Sequence, residues 1–433
     1  MNSPARFFCL FLLLCGAVKA EAQIIQQFEG LARTQVQYLL DKSNDLRAGS
    51  TSDALILVRS KEESLTDQLA RLRQDMVNLP AFSQARWQLD TVGGEVIVNW
   101  QLEEGRTVFP LVNFGGIRGN SYYQLGFNDI HFRGRGQQLT AFYQSNDGEH
   151  NYYLGLRNAA LHGSRWGYAL ESRRYAAVEP LYFPTAAVNY RYSNLSFGID
   201  GSYTFKPGQA ITLGISTFNE RYRKISEPGQ VTPGPERANL QKLLFKFSHT
   251  LDRLDQFGER TAGSHHQSIA QAVRTFGETG GFLIAWHDVR LYRLLGRRGN
   301  LAARLRTGIS SNNDSPFAPF VLDSQFNIRG SGNRIDRGTA QLVLNLEYRH
   351  SVWRDKKERF AAQIVGFSDF GTWRSPGGEI NDLLDSESLR HFIGGGIRLI
   401  SLKAHNAVIR LDYGVDVRNT RERGLVAGFG QYF

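Results

Sequence analysis

Few residues in this 433-residue chain are of types and spacings that could do chemistry. No G-x-S-x-G occurs, so no nucleophile elbow is available for acyl transfer. The run Gly394 to Leu399 (GGGIRL) leads into no helical pattern and cannot cradle a phosphate. His265 and His266 form an isolated pair, which predicts polar lining or a turn at a strand start and not a metal centre. The sequence therefore predicts no enzyme, no metal and no cofactor. Charge pairing is the chemistry that remains. Arg329 stands in the stretch FNIRGSGNRIDRG, and Glu347 and Asp369 follow it. A guanidinium fork offers planar donors that two carboxylates can satisfy together, and such a pair can pin a long loop. Gly330 and Gly332 let the backbone turn tightly beside it. Whether a loop arginine can reach acids on two later segments depends on the elements that carry them.

The first of those elements is an address. Arg6 precedes the apolar run FFCLFLLLCGAV, and Ala20-Glu21-Ala22 supplies a small–x–small cleavage site, so residues 1–22 predict an export signal. Cys9 and Cys15 both fall inside it, leaving the exported portion without cysteine and without need of a disulfide. Residues 23–106 then mix periods. IIQQFEG reads as a strand and ARTQVQYLLDKSNDL as a helix with Val36, Leu39 and Leu40 on one face. The apolar run ALILV follows, then a helix with Leu65, Leu69, Leu72 and Met76 on its stripe, stopped by Pro80. Two β runs joined by Gly93-Gly94 complete a small α/β domain with a three-stranded sheet.

From residue 107 to 433 the helical period disappears and strict alternation takes over. Ala407, Ile409, Leu411, Tyr413, Val415 and Val417 share one face; Val408, Arg410, Asp412, Asp416 and Arg418 share the other. Leu342, Leu344, Leu346 and Tyr348 likewise oppose Gln341, Asn345, Glu347 and Arg349, and Leu301, Ala303 and Leu305 oppose Arg304 and Arg306. Alternation alone does not separate a soluble sandwich from a transmembrane barrel, but connection lengths do. About sixteen strands are separated alternately by short turns (133–136, 206–209, 296–299) and by longer stretches near 226–238, 313–338 and 375–388. The chain carries 12% aromatic residues, a mean hydropathy of −0.34 and a formal charge of +10. That composition excludes a helical membrane protein and a disordered chain. The basic excess is spread along the strands, so nucleic acid is not an expected partner. The fold class is thus an all-β transmembrane barrel of about sixteen antiparallel strands, preceded by one small α/β domain.

The order of motifs resembles the barrel of the BamA/TamA superfamily of outer-membrane assembly and translocation proteins. Ile328-Arg329-Gly330 matches that family's inward-folding loop signature, Glu347 in LEY its first acidic partner, and Asp369 in GFSDFGTW its second. GGGIRL is similar to the strand that follows, and YYQLGFNDIHFRGRGQQL to the second and third strands. FEGLARTQVQYLL, LPAFSQARWQL and LEEG resemble parts of a single POTRA domain, where relatives carry several. The terminal GFGQYF is similar to the closing strand, with Phe433 on the face of Phe429, Ala427 and Leu425; Gln431 departs from the apolar residue usual there. Pro110 in the first strand and Gly424, Gly428 and Gly430 in the last weaken the ladder where the barrel closes. The resemblance implies insertion or translocation of polypeptide at the bacterial outer membrane. The POTRA-like domain would lie in the periplasm and receive the client along one of two edges (about 86–92 or 95–102). Outer-membrane lipids, extended clients and accessory subunits are the implied partners. A passive diffusion channel, or a structural barrel within a larger assembly, is the competing expectation.

Overall fold

Alternation over so many strands demands a sheet with two unlike faces, and the computed structural model closes that sheet on itself. It describes residues 24–35, 64–79, 81–92, 95–117, 120–146, 148–161, 164–183, 185–225, 232–277, 280–314, 318–323, 326–332, 336–404 and 407–433. The export signal, the helix bearing Val36, Leu39 and Leu40, the run ALILV, Pro80 and Gly93-Gly94 lie outside the described residues. The chain begins with β1 (Ile24–Glu29), α1 (Leu65–Asn78), β2 (Phe82–Val92) and β3 (Glu95–Glu104). Next come β4 (Val108–Ile117), β5 (Asn120–Phe132), β6 (Gln137–Asn146), β7 (Glu149–Asn158) and β8 (Trp166–Tyr182). They are followed by β9 (Ala187–Lys206), β10 (Gln209–Lys224), β11 (Arg237–Phe257), β12 (Arg260–Thr275), β13 (Gly281–Leu295) and β14 (Gly299–Ser310). Two short strands, β15 (Phe320–Leu322) and β16 (Asp336–Gly338), pair within the longest connection. The last are β17 (Ala340–Arg354), β18 (Phe360–Arg374), β19 (Arg390–Ser401), β20 (Ala407–Asp416) and β21 (Arg423–Phe429).

β4 to β14 and β17 to β21 form one closed antiparallel barrel of sixteen strands. Register decides which face each residue meets. Ala302 stands opposite Glu347 and Arg304 opposite Asn345 on the inner face; Leu301 opposes Tyr348 and Leu305 opposes Leu344 on the outer. Outside, Leu213 and Leu283 are each 61% exposed; inside, Glu347, Arg349 and Arg398 are each 1% exposed. A belt of exposed leucine, isoleucine and phenylalanine around a charged interior inverts the polarity of a soluble sandwich and matches a bilayer-spanning barrel. His265 and His266 sit within β12, not at its start. β12 starts at Arg260, six residues before His266, and its register with β11 sets His265 opposite Asp252, with Nδ1 3.2 Å from the carboxylate.

The N-terminal sheet has the order β1-β3-β2, with β1 parallel to β3. β3 is therefore central, and of the two candidate edges only β2 is one. Ser64 caps α1, its hydroxyl accepting from the Asp67 backbone N–H. Leu69 and Met76 of the helix stripe are buried against Val98, Trp100 and Leu102, with Leu65 and Leu72 packed beside them. This layer sits across one mouth of the barrel, held at three turns spaced around the ring. At the β5–β6 turn, Gln35 N donates to the Gly134 carbonyl at 3.0 Å. Gly134, at φ +69°, lies so near the Arg33 carbonyl that a Cβ would be 2.0 Å from it. Near the β11–β12 turn, Gln74 Nε2 donates to the Gln256 carbonyl (3.0 Å) and Asn78 Nδ2 to Asp255 Oδ1 (3.1 Å). Between β19 and β20, Lys403 pairs with Glu103.

Glu104 ties the segment after β1 to β3, accepting from the backbone N–H groups of Ala32 (3.2 Å), Arg33 (3.0 Å) and Thr34 (2.7 Å). Burial opposes its charge, but hydrogen bonds from Thr34, Arg33 and Ala32 outweigh it and hold the carboxyl below its ordinary range. A carboxyl with a lowered folded-state pKa stabilises fully above its unfolded value, and the contribution fades as pH falls through the folded value. Glu104→Gln should therefore raise protease cleavage at residues 30–35 at neutral pH. It should also flatten the loss of protection that wild type shows below about pH 4.5, the ordinary glutamate value. Equal cleavage of both proteins across the range would refute this role.

Candidate functional site

Within the longest connection, residues 311–339, the described stretches 318–323 and 326–332 fold into the barrel interior instead of standing outside it. Its inner turn is organised by Asp323, whose carboxylate accepts from Phe326 N at 2.9 Å and whose carbonyl accepts from Ile328 N at 2.8 Å. Ile328 is buried with Leu322 and Phe392, and Gly371 leaves the space its side chain fills. Arg329 is thereby placed at 0% exposure among residues of β17, β18 and β20.

Asp369 on β18 holds Arg329 three times, at 2.9 Å each: Oδ2 accepts from its backbone N and from Nε, and Oδ1 accepts from Nη2. Arg329 Nη1 donates to Glu347 on β17, and Asp412 on β20 lies 3.9 Å from it. The guanidinium is sandwiched between the rings of Phe367 (3.7 Å) and Tyr432 (4.5 Å). Glu347 also accepts from Arg349, and Arg398 of β19 binds Asp412 through Nη1 (2.6 Å) and Nη2 (3.2 Å). Asn345 adds its amide to Asp369 Oδ1 (2.9 Å) and to the Asn327 carbonyl (2.7 Å). The loop is held from its other side as well. Asp288 pairs with Arg304 (2.6 Å) and Arg306 (2.9 Å), and these donate to the Phe326 carbonyl (2.8 Å) and Asn327 Oδ1 (3.3 Å).

Gly330 takes φ +90°, and a Cβ on it would come within 2.8 Å of Gly414 Cα. Conversely, a Cβ on Gly414 would meet the Arg329 carbonyl oxygen at 2.3 Å, and one on Gly424 would meet the Gly330 oxygen at 2.8 Å. Gly414 and Gly424 are paired across β20 and β21. The loop tip thus rests on a floor of bare backbone in the last two strands.

β21 is also where the ring closes, and that seam is short. Among the described residues, only Leu425, Val426 and Ala427 register with β4, opposite Gly116, Gly115 and Phe114. On its other side β4 pairs with β5 along its whole length, from Val108 opposite Asp129 to Ile117 opposite Asn120. Below Ala427 the seam is side chain against backbone: Asn113 Oδ1 accepts from Phe429 N at 3.3 Å. Gly428 leaves room for Asn113, whose oxygen would stand 2.2 Å from a Cβ there. Pro110 pairs with Phe127 of β5 and lies outside the three seam pairs.

The placement expected of Phe433 is corrected. β21 ends at Phe429, and Gly430, at φ +89°, turns the chain inward. Tyr432 and Phe433 are buried against Ala302 on the inner wall, and the Phe433 carbonyl accepts from Arg349 at 3.2 Å. An interior rich in guanidinium groups gives these rings cation–π partners that the lipid face lacks. Gln431, anomalous in an outward closing strand, accepts from Arg398 Nε at 3.3 Å inside.

The structure therefore brings together Arg329, Gly330, Glu347 and Asp369; Phe433 is linked to them through Arg349, and Gly428 lies at the seam beside Asn113 and Arg410. Sequence reasoning had set Arg349, Arg410 and Asp412 on polar faces without assigning them to this cluster. It missed Arg398, Tyr432 and the Asp288 group as members. Polar-face alternation was the available signal, and only strand register turns it into pairs. No cluster of His, Cys, Asp and Glu able to hold a metal occurs among the described residues.

A closed sixteen-stranded transmembrane barrel, with one inward-folded loop seated against its last strands, is the class that this geometry defines. No family model matches the sequence, and no curated protein matches it. Solved structures do match in fold. BamA from Haemophilus ducreyi lacking POTRA domains 1–3 is 14% identical, with a TM-score of 0.54 over 94% of this chain and 84% of that one. CdiB from Acinetobacter baumannii is 11% identical, with a TM-score of 0.56 over 95% and 74%. CdiB from Escherichia coli is 11% identical, with a TM-score of 0.61 over 94% and 76%. This chain thus has the barrel fold of BamA and CdiB.

Proposed function

We propose that this protein inserts or translocates polypeptide at the bacterial outer membrane, by opening its barrel wall between β4 and β21 without covalent chemistry. The observation that carries this reading is the seam. Among the described residues, three residue pairs close a wall whose neighbouring ladder, β4 with β5, runs the full length of β4. A sheet edge that is so little paired can accept an incoming strand through main-chain hydrogen bonds. The loop seated on Gly414 and Gly424 and locked through Arg329 fills the interior beside that seam, so seam and loop can respond together.

The N-terminal domain is read as POTRA-like, residues 23–106, lying in the periplasm ahead of a barrel over 107–433. Its exposed edge, β2, would receive extended client before the seam does. Accessory subunits would meet the same domain.

A disulfide across the seam tests the reading. Phe114 and Ala427 are directly opposed, and both cysteines of the chain, Cys9 and Cys15, fall within its first 22 residues, none in the barrel sequence. In Phe114→Cys/Ala427→Cys, oxidation should abolish client insertion or secretion by the full chain in cells, and reduction should restore it. Deleting residues 24–105 should also abolish it. Undiminished transfer by the oxidised double variant would overturn the wall-opening mechanism.

A further inference from the structure

Three adjacent strands carry the same order of outward side chains toward one mouth of the barrel. On β9, Phe197 and Leu195 are followed by Ser193 and Arg191. On β10, Leu213 and Ile215 are followed by Thr217, Asn219, Arg221 and Arg223. On β11, Phe245 and Leu243 are followed by Gln241, Asn239 and Arg237. Successive members stand two residues apart, so each series keeps to one face, and the exposed Phe197, Ile215 and Phe245 identify it as the outer one. Register sets the series side by side. Leu195 opposes Asn219, which opposes Gln241; Ser193 opposes Arg221, which opposes Asn239; Arg191 opposes Arg223, which opposes Arg237. The small domain is bound at the other end of β11, through Asp255 and Gln256.

The cations on the inner faces of these strands are neutralised: Lys242 pairs with Glu220 and Lys246 with Asp200, each at 2.6 Å. Outside, three guanidinium groups stand in direct cross-strand opposition, an arrangement that repels. Arg191 meets Glu149 at 2.6 Å. Among the described residues, no carboxylate pairs with Arg221, Arg223 or Arg237. An anion bridging neighbouring guanidinium forks relieves that repulsion, and phosphate and carboxylate are the groups such forks bind in two-point fashion.

Height above the membrane selects the anion. Exposed Tyr143 and Tyr152 oppose each other on β6 and β7, and Tyr152 opposes Arg174, which opposes Leu195. These rings mark the aromatic girdle where the apolar band ends. The arginines stand four residues beyond Leu195, six and eight beyond Ile215 and six beyond Leu243. At about 3.3 Å per residue and a tilt near 40°, that is roughly 10–20 Å above the band. A phospholipid phosphate lies within the roughly 5–8 Å of headgroup next to the hydrocarbon, below this row. A glycolipid reaches it: acyl chains meet the apolar residues, sugar hydroxyls meet Ser193, Thr217, Asn219, Asn239 and Gln241, and core phosphates and carboxylates meet the guanidinium groups. We infer that the outward row Arg191, Arg223 and Arg237, with Arg221 beside it, binds the anionic saccharide core of lipopolysaccharide. The site rests on the outer-membrane reading with the small domain in the periplasm, and is independent of what the barrel transports.

Lipid binding to the purified full chain in detergent tests it, with intact lipopolysaccharide, dephosphorylated lipopolysaccharide and phosphatidylglycerol as probes. The intact glycolipid should bind most tightly and weaken as salt is raised. Arg221→Gln/Arg223→Gln/Arg237→Gln should lower its affinity about tenfold, the combined worth of three exposed charge contacts. Lysine at the same three positions should restore part of it, supplying charge without the planar fork. Arg253→Gln/Arg293→Gln neutralises two exposed arginines near the other ends of β11 and β13 and should leave binding unchanged. Heat-modifiable migration on gels verifies that each variant is folded. Equal binding of the three lipids, or equal losses in the triple and double glutamine variants, would overturn the inference. Orientation is read separately, by labelling Pro235→Cys in intact cells with a membrane-impermeant maleimide. A labelled cysteine without glycolipid binding would refute the site alone, and protection of that cysteine in intact cells would refute the site and the orientation together.

Discussion

Arg329→Ala is expected to release residues 311–339 from the barrel interior, exposing them to protease and raising ion conductance in planar bilayers. The substitution removes the cation on which Asp369, Glu347 and, at longer range, Asp412 converge at 0% exposure. Breaking a buried, hydrogen-bonded ion pair by deleting one partner costs about 3–5 kcal/mol, because the other partner keeps its desolvation penalty. Here the two side-chain hydrogen bonds to Asp369 and the one to Glu347 disappear together with the stacking on Phe367 and Tyr432, while the backbone N–H at 329 remains. Arg349 and Arg398 still neutralise Glu347 and Asp412, so Asp369 bears most of the penalty. Asp369→Ala should therefore approach the effect of Arg329→Ala. Arg329→Lys should fall between, since an ammonium cannot bridge two carboxylates as a planar fork does. In cells, both alanine variants should impair client transfer. Wild-type loop protection and wild-type activity in both would remove the lock from the mechanism.

The lock's principal members were legible before any coordinates because they combine two strong patterns. Glu347 lies on the polar side of an unambiguous alternation, and Arg329-Gly330 sits in the longest gap between strands. The sixteen strands were legible for the same reason: an apolar outer face and a polar inner face repeat with period two over most of the chain. What could not be read were relations between strands. Arg398 pairs with Asp412 because Gly396 is in register with Asp412, which brings the Arg398 guanidinium diagonally across to it. No single-strand pattern contains that register. Phe433 was misplaced because alternation was carried past Phe429, whereas the glycine at 430 with positive φ ends the ladder. The edge ambiguity in the small domain had a similar origin. Two adjacent β runs look alike, and only the parallel pairing of β1 with β3 makes β2 the edge. Strand limits drifted where polar residues extend beyond the apolar band, as at β12, which starts at Arg260 and not at His266.

A second large effect is expected from a residue that carries no charge. Gly414→Val should expel the loop as Arg329→Ala does, while every member of the ion-pair cluster remains. A Cβ at this position meets the Arg329 carbonyl oxygen at 2.3 Å and the Gly330 Cα at 3.3 Å; both are backbone atoms that no rotamer change can move aside. Overpacking of this kind costs about 1–3 kcal/mol or more when the neighbour cannot yield. The barrel itself should tolerate valine, a favourable strand residue, so heat-modifiable migration of the folded variant should persist. Gly366→Val is the matched control, since a Cβ there meets nothing within 4 Å. The informative measurement combines the two predictions. If charge lock and glycine floor hold the same seated state, then once either is lost the loop is already out. Arg329→Ala/Gly414→Val should then lose little more protection than either single variant, and the two effects should be strongly non-additive. Since Gly414 is paired with Gly424 of β21, unseating the loop also strips contacts from the seam strand. The rate of disulfide formation in Phe114→Cys/Ala427→Cys should therefore change when Gly414→Val is added. Additive losses of protection together with an unchanged oxidation rate would mean that loop and seam are separate devices, and the barrel wall would then have to open without any signal from the interior.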